Sequence, residues 1–142
     1  MEKLLVSACL LGCKCRYDGR DNKIDLKYLK EKYEFVSCCP EVLSGMTIPR
    51  EPAEILKDRV INKQGEDVTK YFLKGADKAL IICEKNNIKK ALMKEKSPSC
   101  GSSFVYDGSH SRVLIEGQGF TVRALREKGI EVYSEREIDK LL

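Results

Sequence analysis

The residues best able to do chemistry are cysteines, and they fall in separate places. Cys9, Cys13 and Cys15 share the stretch Ser7-Ala-Cys-Leu-Leu-Gly-Cys-Lys-Cys-Arg-Tyr-Asp-Gly19, Cys38 and Cys39 precede Pro40-Glu41, and Cys100 lies in Lys96-Ser-Pro-Ser-Cys-Gly101. Cys83 stands alone. A chain of 142 residues buries a core without staples, and seven cysteines is an odd count, so thiol chemistry or metal ligation explains them better than a disulfide framework. Three readings remain: a redox pair with a spare, a zinc site, or ligands of an iron-sulfur cluster. Structural zinc draws on closely spaced pairs such as Cys-x2-Cys, whereas Cys13 and Cys15 enclose one residue and Cys38 and Cys39 none. A thiol-disulfide oxidoreductase would need a Cys-x2-Cys ahead of a helix, which is missing too. Three thiolates on a cluster would leave one iron open to substrate, and Gly12, Pro40 and Gly101 beside the candidate ligands suit the close approach of backbone N–H groups.

The elements that must position these thiols follow from periodicity. Leu4–Ala8 and Phe35–Cys38 read as buried strands, with helical spacing over Ile24–Tyr33 between them. Prolines and Gly45 keep Cys39–Pro52 mostly non-helical, and Ile55–Asn62 reads as a short hairpin or edge strand. From Asp67, the residues Val68, Phe72, Ala76, Ala79, Leu80 and Cys83 trace one helical face, which makes Cys83 core filler. Ile88–Lys94 gives a third strand and Val105–Ile115 a loop with short extended pieces. Phe120–Lys128 reads as a helix closed by Gly129, Ile130–Tyr133 as a fourth strand, and Ser134 with Glu137 as a capping box opening a final helix. Such alternation predicts a single α/β domain over residues 1–142, a mostly parallel open sheet flanked by helices in a Rossmann-like three-layer arrangement. Ligands of such sheets gather beyond the carboxyl ends of the strands. Cys9, Cys39 and Cys100, which follow strands one, two and three, are thereby expected on one edge.

A net charge of +4 with 34% charged residues is mildly basic, and the charges are interspersed. Lys85–Lys96 is the one lysine-rich run; few aromatics and no Trp argue against a base-stacking platform. No signal peptide and no apolar run of spanning length is visible, so a soluble, cytoplasmic protein without a membrane partner is expected. His110, between Ser109 and Ser111, reads as a solvated loop residue.

Ser7-Ala-Cys-Leu-Leu-Gly12 with Cys15-Arg-Tyr-Asp-Gly19, Cys39-Pro-Glu41 with Gly45 and Pro49-Arg-x-Pro-x-Glu54, and Lys96-Ser-Pro-Ser-Cys-Gly101 together resemble the thiouracil desulfidase family over nearly the whole chain. The resemblance implies a 4Fe-4S cluster bound by Cys9, Cys39 and Cys100, and a non-redox conversion of a thiocarbonyl to a carbonyl with release of sulfide. The expected substrate is a small thiolated base such as thiouracil, with thiouridine in tRNA as the alternative. A non-catalytic zinc or cluster sensor is the rival from another class. Within these motifs Glu41 is the first choice for acid/base work and Ser99 for orienting water or substrate. Arg16, Asp18, Arg50 and Lys96 are weaker candidates for binding substrate; Arg16–Asp18 and Arg50–Glu54 pairs would instead brace the loops. Ser44 and the extra thiol Cys13 are small departures from the family pattern.

Overall fold

The computed structural model describes residues 1–142, and its centre is a four-stranded parallel sheet. Its strands are β1 (Glu2–Ser7), β2 (Tyr33–Cys38), β5 (Lys90–Met93) and β8 (Glu131–Ser134), in the order β2-β1-β5-β8. All three pairings are parallel, with Leu5 opposite Val36 and Ala91, and Ala91 opposite Val132. Parallel neighbours need crossovers, and the helices α1 (Lys27–Lys32), α3 (Thr69–Asn86) and α4 (Phe120–Glu127) lie on those connections. The strand order reverses at β1, so the switch point lies between β1 and β5.

Alternation along the strands divides the core. Leu5, Ala91, Met93 and Val132 pack with Ala79 and Cys83 of α3 and Val122 and Leu125 of α4. Leu4, Val6 and Leu92 point the other way, onto Leu29 of α1, Leu10 and Leu141. The layered arrangement expected from the sequence is therefore present. Two antiparallel hairpins complete it: β3 (Ala53–Leu56) with β4 (Arg59–Asn62), and β6 (Phe104–Tyr106) with β7 (Leu114–Glu116).

Several boundaries differ from the sequence expectation, each for a local reason. The first helix begins at Lys27, not Ile24, because the Asp25 side chain accepts the Lys27 N–H and turns the chain ahead of it. A short helix α2 (Pro40–Leu43) interrupts the segment expected to be mostly non-helical; Pro40 takes the first helical position, where its missing N–H costs nothing. Ser134 and Glu137 do form a capping box, but the turn it opens, Glu135–Lys140, is a 3-10 helix broken by a non-helical Glu137. The lysine-rich run is split by β5: Lys89 and Lys90 lie at its amino end, Lys94 and Lys96 beyond its carboxyl end, so these cations form no single patch. No helix is long and apolar enough to cross a membrane.

Candidate functional site

A cavity of about 720 Å³ opens beyond the carboxyl ends of β1, β2 and β5. Cys9, Cys15, Cys38, Cys39 and Cys100 all line it. Three different connections deliver them. Cys9 lies in the 3-10 turn Ala8–Leu11 directly after β1, which Gly12 closes in a left-handed conformation at φ 98°. Cys39 is the residue between β2 and α2. Cys100 comes from the loop after β5, where the Cys100 N–H and the Ser99 N–H both donate to Ser97 Oγ.

Behind that loop, Gly119 packs so closely that a Cβ there would collide with the Ser99 carbonyl carbon and oxygen and the Cys100 nitrogen. Thr121 N–H donates to the Ser99 carbonyl at 3.0 Å and Phe120 N–H to the Pro98 carbonyl at 2.9 Å, so the start of α4 buttresses the loop from outside.

The thiols differ in proton affinity. Cys9 is lowered to about 7, first by a hydrogen bond from the Cys15 thiol, against burial, and then with help from Asn22 and the Lys94 charge. Cys39 is lowered by the same Cys15 thiol, against burial, with the Val42 N–H at the start of α2 and the Arg50 charge adding to the effect. Cys15, 3% exposed, is pushed up because its single S–H serves Cys39 or Cys9 in turn, with burial adding to the effect. Cys100 is held protonated chiefly by burial, partly offset by the Ser7 hydroxyl. Metal binding would have to displace that proton.

Glu41 lines the cavity and is gripped by Arg50, whose Nη2 and Nε donate to Oε2 at 2.6 and 3.0 Å. The same Nη2 donates to the Cys15 carbonyl at 2.9 Å, so one guanidinium, 8% exposed, ties the Cys15 loop to the carboxylate beside Cys39. Arg50 thus braces Glu41; the Arg50–Glu54 pair does not form. Glu54 instead accepts the Gly108 and His110 N–H groups, and its Oε2 lies 3.6 Å from His110 Nδ1. His110 is accordingly not solvated: its Nε2 is 3.1 Å from the Ile61 carbonyl and its ring lines the cavity. Packing against the β3–β4 hairpin, invisible in the local sequence, accounts for the difference.

Arg16 lines the cavity and donates to Asn22 Oδ1 and Asp18 Oδ2, whereas Asp18 stands outside the wall and accepts the Arg20 N–H. Lys96, at φ 70°, lines the cavity and its ammonium has no partner within the protein. Ser99 is 1% exposed, its hydroxyl sharing a hydrogen bond with Thr121 Oγ1 at 2.8 Å. Of the two serines in this motif, Ser97 lines the cavity and Ser99 does not. Ser97, Asn22 and Glu95 are site residues that sequence reasoning passed over; their only signal was position beside the cysteine motifs.

No group of three or more His, Cys, Asp or Glu side chains stands close enough to hold a single metal ion. A cluster makes a different demand, since each thiolate binds a different iron of a cube, and the donors are spread correspondingly wider. A donor set of cavity-lining thiols, two of them with lowered proton affinity and with the unpaired ammonium of Lys96 on the same wall, fits such a group.

Fold and site together define a Rossmann-like α/β domain with a thiol-lined cavity at its switch point. The comparisons with known proteins are more specific. The family described as 2-thiouracil desulfurase matches residues 4–137, and the chain belongs to that family. A solved structure described as the 4Fe-4S-dependent thiouracil desulfidase TudS is 42% identical and superimposes with a TM-score of 0.96, covering 99% of this chain and 95% of that one. An uncharacterised Bacillus subtilis (strain 168) protein, YbbK, is 38% identical over 98% of this chain and 99% of its own length.

Proposed function

We propose that this protein removes sulfur from a thiolated uracil by a non-redox reaction with water, using a 4Fe-4S cluster held by Cys9, Cys39 and Cys100. The observation that carries the reading is the convergence of these three thiols, from three strand ends, on one cavity that Glu41 also lines. A 4Fe-4S cluster bound by three thiolates supplies an iron with an open position, a Lewis acid for a thiocarbonyl sulfur. Atoms balance without an oxidant: thiocarbonyl plus water gives carbonyl plus hydrogen sulfide.

The protein's own residues provide binding and proton transfer. Arg50 holds Glu41 by one oxygen, Oε2, and leaves Oε1 without a partner in the protein, free to take a proton from the attacking water. Ser97 accepts two backbone N–H groups through its oxygen, which leaves its own proton to donate toward substrate or departing sulfur. Ser99, the residue favoured from the motif, acts on this reading through the loop, because its hydroxyl is engaged by Thr121. Lys96 offers an unpaired charge to an anionic form of the base, and Arg16 stacks near Tyr17, 5.9 Å from the ring centroid, at the cavity wall.

The test is anaerobic reconstitution with iron and sulfide, followed by incubation with free thiouracil, thiouridine and thiolated tRNA without a reductant. Equal yields of sulfide and uracil from a small thiolated base support the proposal. Iron-loaded protein that releases sulfide from none of the three would overturn it.

A further inference from the structure

We propose that Glu95 is a positioning residue for the thiol site: its carboxylate gathers the backbone that follows it and so sets the loop presenting Ser97 and Cys100 to the cavity. Glu95 lies two residues past the end of β5 and is only 4% exposed. A buried carboxylate normally needs a cation, but Glu95 forms no ion pair. Its Oε1 instead accepts the N–H groups of Ser102, Ser103, Phe104 and Lys96 at 2.9, 3.0, 3.1 and 3.3 Å, and Oε2 accepts the Ser102 hydroxyl at 3.1 Å.

One oxygen thus closes both ends of the Lys96–Phe104 loop around itself. Ser97 and Cys100 lie in the arc between those ends, where the Gly101 N–H donates to the Ser97 carbonyl at 2.9 Å. Four N–H donors crowd this one oxygen, and an ionised carboxylate accepts them more strongly than a neutral group would. Glu95 is itself fixed: its N–H donates to Glu135 Oε1 at 2.7 Å, and Glu135 pairs with Lys94 at 2.8 Å. The loop is consequently clamped from inside by Glu95 and from outside by the start of α4, and the inner clamp orients the face that looks into the cavity.

The inference stands on geometry, and only its iron readout rests on the proposed cluster. In the full chain without metal, native-state alkylation with iodoacetamide would be followed by peptide mass spectrometry at Cys100, with Cys83 in the α3 core as internal reference. Glu95→Ala is expected to raise the Cys100 rate roughly tenfold or more while Cys83 is unchanged, the mark of local opening. Glu95→Gln, which keeps a weaker acceptor, is expected to lie between it and the parent. An unchanged Cys100 rate, or a parallel rise at Cys83, would overturn the proposal. After anaerobic reconstitution, Glu95→Ala should lose iron to a chelator faster than the parent protein, and equal loss would also count against it. If the parent takes up no iron, the cluster reading fails while the alkylation result still decides the role of Glu95.

Discussion

Cys38 and Cys39 are adjacent in the chain and both reach the cavity wall, yet their thiols are held in different ways. Cys38, the last residue of β2, packs with Ala79 and Cys83 in the core under α3, and burial, the neighbouring Cys39 and Cys83 push its thiol up to about 12. Cys39, one residue on, sits at the mouth of the sheet, where the Cys15 thiol, the first turn of α2 and Arg50 lower it against burial. The same residue type therefore stays a protonated, core-packed thiol at the strand end and becomes an ionisable donor one residue later. What separates the two is the supply of hydrogen-bond donors and positive charge, concentrated at the carboxyl edge of the sheet.

That contrast predicts that lesions at the edge remove the site while lesions in the core remove stability. Gly119→Ala is expected to have the larger effect on the site: its Cβ meets the backbone of Ser99 and Cys100, which cannot yield as a side chain would, so the Cys100 loop must shift. Iron retained after anaerobic reconstitution should fall severalfold, whereas Gly129→Ala, which meets nothing within 4 Å, should keep its iron despite some strain at φ 81°. Leu125→Ala should do the reverse. Leu125 is fully buried beneath the sheet, so denaturant unfolding should show a loss of about 2–5 kcal/mol, with iron per folded chain unchanged. A Leu125→Ala protein that lost iron in proportion would break the separation of core from edge.

Much of this separation is legible in the sequence. Short apolar runs and an amphipathic helix from Val68 placed Cys83 in the core and Cys9, Cys39 and Cys100 after successive strands, because periodicity is a local property of the chain. The partners of side chains across the fold are not local. Arg50 bonds to Glu41 and not Glu54, and His110 docks on Ile61, because the β3–β4 hairpin and the β6–β7 connection are brought together only by tertiary packing. Nor does the Ser-Pro-Ser-Cys motif say which serine faces the cavity. The Thr121 hydroxyl and the Glu95 carboxylate decide that, and Glu95 is indistinguishable in sequence from the solvated charges around it.

Smaller effects sharpen the same comparison. The Cys83 thiol is pushed up to about 11, mainly by burial, so it stays protonated at pH 8 and should resist alkylation in the native chain; Cys83→Ala should cost about 1 kcal/mol and leave the site unchanged. At the start of α3, Thr69 donates its hydroxyl and backbone N–H to Asp67, and with Arg59 these hold the carboxyl down to about 2 against an ordinary 3.8. A depressed folded-state value stabilises above the unfolded one, so this contribution is complete above about pH 4 and fades as pH falls toward 2. Asp67→Asn should lower Tm slightly at pH 7, the pair being solvent-exposed, and the difference from the parent should shrink on acidification.

The central claim is that three of the seven cysteines hold a cluster, and iron with acid-labile sulfide, measured per chain without oxygen, tests it most directly. The parent and Cys83→Ala proteins should each carry about four iron atoms and four sulfides. Cys9→Ala, Cys39→Ala and Cys100→Ala should each lose most of both. Equal loading across the four variants, or stoichiometric zinc with no iron in the parent, would contradict the account.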